Sequence, residues 1–293
     1  MALDPACIPC LINQAYNVSK LMTDGNTGLQ LEIMKKVCGA ITNIDENVPA
    51  PLFSFTMQRI VEKAIGKKDI YKNLKEKNIS TVKGLMPRLR KLIEISDDKL
   101  GMAVKIAIAG NTVDLTANPH FDVKRDISQI VHNTIDLKTY KIFQSDVKKA
   151  SVILYIGDNY EEALFYKILL EILKPDRLVF AVRSYPILND VTLNDARYLE
   201  IDKVCEVIES GSKIAGTDLH QCTNEFLKLF TKADVVIAKG QGNYETLMDV
   251  DRPIYFLFKV KCEAISRRSG LPIGASALYL SRKEEVSFKG ISK

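Results

Sequence analysis

Histidine is scarce in this 293-residue chain, with only His120, His132 and His220. They are too scattered for a zinc triad or a serine–histidine pair. The six cysteines, at positions 7, 10, 38, 205, 222 and 262, are too sparse for a disulfide scaffold in a chain of this length. No apolar run approaches the roughly 18 residues of a membrane span. The opening "MALDPACIPCLINQAY" puts an acid and a proline where a secretory leader would carry a basic stretch and an apolar core, so a cytoplasmic protein is expected. Established catalytic motifs are missing too. Lys239 precedes its glycines instead of following them as in a P-loop, the dinucleotide fingerprint breaks off after Gly240-Gln241-Gly242, and no G-x-S-x-G elbow occurs. Any catalysis should therefore rest on carboxylates and a metal.

The remaining composition is that of a globular chain, 46% hydrophobic and 26% charged. The net charge of +5, from 41 basic and 36 acidic residues, is spread along the sequence. It hints weakly at anionic ligands and argues against nucleic acid as a partner.

Over the first hundred residues the apolar positions recur at helical spacing: Ile8, Leu11, Ala15 and Met22, then Ile33, Val37, Ile41 and Ile44, then Phe53, Met57, Ile60 and Ala64. "ENVPAP" at 46–51 marks a break, and Pro87 predicts a kink or two pieces in "VKGLMPRLRKLIEI". "SDDKLGMAVKIAIAGN" reads as a helix capped by Ser96 and ended by Gly110, although Val104, Ile106 and Ile108 alternate like a strand. From about residue 150, β-branched runs ("SVILYIG", "RLVFAVRS", "ADVVIAKG", "RPIYFLF") alternate with helical segments at 160–173 and 222–231. The expectation is an α/β protein: a mostly helical amino-terminal domain over 1–118, then a doubly wound, largely parallel Rossmann-like sheet over 119–293.

In such sheets ligands sit beyond the carboxyl ends of the strands. There the sequence places Asp158-Asn159, then Arg183 and Asn189-Asp190, then Lys239 and Asn243. Together these offer oxygen ligands for a hard divalent cation and cationic groups for a phosphate. The plainer alternative is that Asp and Asn open turns and cap the helices that follow. Likewise Gly240 and Gly242 could admit backbone N–H groups to a phosphate, with Asn243 and Glu245 orienting the loop or binding substrate hydroxyls, or could simply make a tight strand-to-helix turn.

"IGDNYEEALF", "PILNDVTLNDA", "ADVVIAKGQGNYETL", "AGNTVD" and the early "CIPC" resemble the damage-control phosphatases, in particular archaeal and bacterial members with an amino-terminal Cys-x-x-Cys. The resemblance runs over nearly the whole chain. It implies a helical part packed on an α/β domain and hydrolysis of small phosphorylated metabolites, such as sugar phosphates or phosphopantetheine-like esters, with manganese, cobalt, nickel or magnesium. It makes Asp158, Asn159 and Asp190 the metal ligands, with Asp158 or Asp190 holding the attacking water. Asn111 and Asp114 become substrate-side groups, and Lys239 the phosphate contact. The chain departs from a D-N-x-G-E-x-x-x-D pattern at Glu161 and Tyr166, while Glu162 is retained. For Cys7 and Cys10, helix packing, a structural or accessory metal, and redox chemistry all stay open. Other classes of function also remain open, namely a nucleoside-dependent methyltransferase or a non-catalytic interaction module. The oligomeric state is unspecified.

Overall fold

The computed structural model describes residues 2–110 and 135–281. Asn111, Asp114, His120, His132 and the expected 118/119 boundary lie outside the described residues. The amino-terminal part is helical: α1 Cys7–Met22, α2 Thr27–Ile41, α3 Pro51–Ile65, α4 Lys72–Ile95, α5 Lys99–Ala109. The Asn26 side chain caps α2 by accepting from the Leu29 N–H. Pro51 starts α3 where no amide partner is needed, and Gly66 ends it in the left-handed region.

Two sequence expectations need correction here. Helix α4 runs unbroken through Pro87. Lys83 and Pro87 are both exposed, so water can satisfy the carbonyl that loses its partner. Helix α5 is a helix as expected, but Asp98, not Ser96, caps it, accepting from the Gly101 N–H. The alternation in α5 misleads because the helix is buried nearly all round.

After α6 (Leu137–Lys149) the chain enters the α/β unit: β1 Val152–Ile156, α7 Ala163–Ile172, β2 Arg177–Val182, α8 Leu193–Tyr198, β3 Glu206–Glu209, α9 Asn224–Lys232, β4 Val235–Lys239, α10 Gln241–Leu247, β5 Ile254–Lys259, α11 Glu263–Ser269 and β6 Ser276–Ser281. The strand order is β3-β2-β1-β4-β5-β6. All neighbours are parallel except β5 and β6. This is the doubly wound sheet behind a helical region that the sequence predicts. Strands β3 and β6 are additions at its two edges.

Side chains alternate across the sheet and build a core on each face. Ile153, Tyr155, Phe180, Val182 and Ile237 pack with α4, α5 and α7. Leu154, Ile156, Ala181, Val236 and Phe256 pack with Phe226, Tyr244 and Ile265. A third core, from Leu11 to Tyr71, belongs to α1–α3 and receives Leu188 from the α/β unit. Hydrophobic packing thus joins α4 and α5 to the sheet and leaves α1–α3 as a separate cluster.

Candidate active site

The order β3-β2-β1-β4-β5 reverses direction between β1 and β4, and a crevice forms where such chains diverge. Ile156 is level with Ala181 on β2 and with Ala238 on β4. Two residues further on, Asp158, Arg183 and Gly240 come to the same edge. Lys239 closes β4 just before Gly240. Asp190 arrives from the loop after β2 through a bridge to Asn159, with the Val191 N–H donating to the Asp158 carbonyl at 2.8 Å. The structure therefore gathers Asp158, Asn159, Arg183, Asp190, Lys239, Gly240 and Asn243 at one place.

Each charge is held by a specific partner. Arg183 is 1% exposed. Its Nε donates to Asp190 Oδ2 at 2.7 Å, and its remaining nitrogens donate to Thr217 Oγ1 at 3.0 Å and Asn243 Oδ1 at 3.1 Å. Asn243 in turn donates to the carbonyls of Gly157 and Lys239 at 2.9 and 2.7 Å, tying β1 to β4. Lys239 is 0% exposed, and its Nζ pairs with Glu162 Oε2 at 2.5 Å. The other Glu162 oxygen accepts from the Asn159 side-chain nitrogen at 2.9 Å, which leaves the amide oxygen as the Asn159 side-chain atom that could face a cation. Lys75 of α4 donates to the Asp190 carbonyl at 2.6 Å and pairs with Asp195 at 2.8 Å.

Asp158 is the exception. It is 9% exposed, and no described residue donates a hydrogen bond to its carboxylate. Burial first, and then the Asp190 and Glu162 carboxylates, push its pKa up to about 7 against the pull of Lys239 and Arg183. Burial also raises Asp190, opposed by the charge and hydrogen bond of Arg183. Among the described residues no three His, Cys, Asp or Glu side chains stand close enough to hold a metal by themselves. At this edge the third donor has to be an amide. Asp158, Asp190 and the Asn159 oxygen form an all-oxygen set in which one carboxylate has no donor among the described residues and faces a like charge, which is the donor chemistry a hard divalent cation fits.

The glycines are explained by packing. Gly240 has φ +86°, and a Cβ there would fall 1.8 Å from Asp158 Oδ2. Its N–H donates to the Leu257 carbonyl at 2.9 Å, so that amide is used within the sheet and does not face a phosphate as expected. A Cβ on Gly242 would fall 2.1 Å from the Ala215 carbonyl, so this glycine lets α10 approach the 210–217 segment. Glu161 is clamped by Asn78 at 3.2 Å and Asn189 at 3.0 Å. Tyr166 donates to the Asn159 carbonyl at 3.2 Å, bracing the loop from beneath.

Glu245 stands apart from this edge. It accepts from Gln241 at 2.9 Å, and Cys7 and Cys10 count Glu245 and Cys262 among their electrostatic neighbours. Burial raises the pKa of both thiols, which disfavours the thiolate form. Cys38 is exposed on α2. The sequence reading missed Thr217, Gln58 and Lys75, and gave Glu162 no role. A short polar or charged residue inside a helix or loop looks solvent-facing until its distant partner is known.

A model of the damage-control phosphatase ARMT1-like domain matches residues 3–276. The chain belongs to this family. It is 30% identical to damage-control phosphatase PH1575 of Pyrococcus horikoshii, over 94% of this chain and 96% of that protein. It is 33% identical to the uncharacterized protein MJ0202 of Methanocaldococcus jannaschii, over 94% of each. A crystal structure of a DUF89 family protein from Pyrococcus horikoshii superposes with a TM-score of 0.86 at 28% identity, covering 96% of this chain and 100% of that one. Membership of a phosphatase family sets the methyltransferase reading aside. Among the described residues, no helix is long and apolar enough to cross a membrane.

Proposed function

We propose that this damage-control phosphatase is a metal-dependent phosphomonoester hydrolase acting on small phosphorylated metabolites, with Asp158, Asp190 and Asn159 holding the cation. The supporting observation is Asp158, a buried carboxylate to which no described residue donates a hydrogen bond, opposite a second carboxylate at the switch point of the sheet. Manganese, cobalt, nickel and magnesium all suit an oxygen donor set. The bound cation would supply Lewis acidity at the phosphoryl oxygens and acidify a water.

The protein's own share is positioning and charge. Arg183 fixes the orientation of Asp190, and Asn243 fixes Arg183. Asp158, a nearly buried carboxylate at the edge of the sheet to which no described residue donates, is placed to orient the attacking water and take its proton. Lys239 brings a positive charge to the edge but shares it with Glu162. Its part in stabilising the phosphoryl charge is through the field at the site, unless substrate draws it from that pair. Turnover of a phosphate-ester panel with each of the four metals tests the reading. Manganese-dependent release of phosphate from sugar phosphates or phosphopantetheine-like esters is the expected result, and turnover unaffected by chelation would refute metal dependence.

A further inference from the structure

The loop that carries Asp190 is gripped by a helix more than a hundred residues away in sequence. Gln58 of α3 is fully buried. Its side-chain nitrogen donates to the Pro186 carbonyl at 2.5 Å and to Glu62 Oε1 at 3.0 Å, while its oxygen accepts from the Leu188 N–H at 2.6 Å. One amide thus occupies a carbonyl and an N–H two residues apart, as a neighbouring strand would. Leu188, which supplies that N–H, sits at φ +47°, a left-handed conformation that a leucine adopts only when its surroundings hold it there. Its side chain packs into the core of α1–α3. Beside it the Tyr185 hydroxyl donates to Glu62 Oε2 at 2.7 Å, and Arg59 donates to both groups, at 3.1 and 2.7 Å.

From Leu188 the chain has only Asn189 to cross before Asp190, whose own N–H donates to the Ile187 carbonyl at 3.0 Å. The direction of the Asp190 carboxylate is therefore set by Arg183 within the sheet and by its own backbone, which Lys75 holds at the Asp190 carbonyl, Glu161 at Asn189 and Gln58 at the preceding turn. We propose that Gln58 is a positioning residue of the active site, fixing the 185–190 turn so that Asp190 meets Asp158, and that α1–α3 work as part of the catalytic apparatus. This rests on the phosphatase reading for its kinetic consequences but not for the turn itself.

Gln58→Met keeps volume and removes all three hydrogen bonds. The test compares it with the parent by hydrogen–deuterium exchange, manganese titration, and steady-state turnover of a generic phosphate ester well below the melting temperature. Faster exchange centred on residues 185–191 is expected, with kcat lower by about 10- to 100-fold, KM within about threefold, and weaker manganese affinity. Tyr185→Phe, which removes only the hydroxyl, should shift the same readouts in the same direction by less, and keeps the question decidable if Gln58→Met does not fold. Unchanged exchange at 185–191, or faster exchange with parental kcat and manganese affinity, would overturn the proposal; the latter would leave Gln58 only a packing role. If the parent itself neither turns over esters nor binds manganese, the phosphatase reading fails, and the exchange pattern alone decides whether Gln58 fixes the turn.

Discussion

Two corners of the molecule hold a buried carboxylate pushed up to about 7: Asp158 at the switch point of the sheet, and Glu245 beside Gln241 near the amino-terminal thiols. Burial is the first cause in both. At the sheet edge, however, two further carboxylates and two cations crowd the same space, and each cation is fixed to its own acid, Arg183 to Asp190 and Lys239 to Glu162. Around Glu245 a single amide, Gln241, donates among the described residues, and burial raises the pKa of the neighbouring thiols. A raised acid alone marks only desolvation. A raised acid among anchored charges, at the mouth of a parallel sheet, marks a place built to receive something.

Breaking the first corner should have the largest effect. Asp158→Ala removes a proposed anionic ligand and should lower kcat/KM by at least about 10³. Because no described group donates to that carboxylate and its neighbours repel it, the metal-free protein should melt no lower than the parent. Asp190→Ala should be equally inactive but should also lose roughly 3–5 kcal/mol of stability, since Arg183 is left buried without its acid. A calorimetric scan of both, without metal, separates the two behaviours; equal stability losses would show that Asp158 is structurally paired.

Next comes Lys239→Met. A simple contact with substrate would leave folding intact, but the buried pair with Glu162 predicts a loss of stability along with a fall in turnover of about 10²–10³. Adding Glu162→Gln should recover much of the stability and little of the activity, measured by chemical denaturation and phosphate release. Full stability of the single variant would contradict the pairing.

At the other corner the effects are smaller and depend on pH. Glu245 holds its proton in the folded chain to about 7, against 4.5 when unfolded. Its contribution to stability is therefore complete below about pH 4.5 and is lost as pH rises through about 7, at most roughly 3 kcal/mol. Glu245→Gln carries no such dependence, so its melting temperature should gain on the parent between about pH 5 and pH 8, with turnover within about threefold of the parent. Loss of turnover comparable to that of Asp158→Ala would erase the distinction between the corners. Smallest of all, Cys7→Ser with Cys10→Ser should cost no more than about 1 kcal/mol and leave kcat unchanged, as read by thermal melts and steady-state kinetics.

What the sequence revealed follows the same divide. Strands β1, β2, β4 and β5 are legible because both faces of a parallel sheet are buried and their β-branched runs are continuous. Edge strands β3, "EVIE", and β6, "SALYLS", carry exposed or polar residues and give no such signal. Asp158, Asn159, Asp190 and Lys239 could be found because strand ends can be counted along the chain. Gln58 and Glu62 could not, since among Phe53, Met57 and Ile60 they look like the wet side of a helix until the 185–190 turn is laid against them. Arg183 could be located but not understood: its buried guanidinium is taken up by Asp190, Thr217 and Asn243.

In the proposed site Asp158 and Asp190 close around one divalent cation. Isothermal titration of the parent and of Asp158→Ala with manganese tests it most directly. Binding of about one ion per chain is expected for the parent and no measurable binding for the variant. Equal affinity and stoichiometry in the two proteins would contradict it.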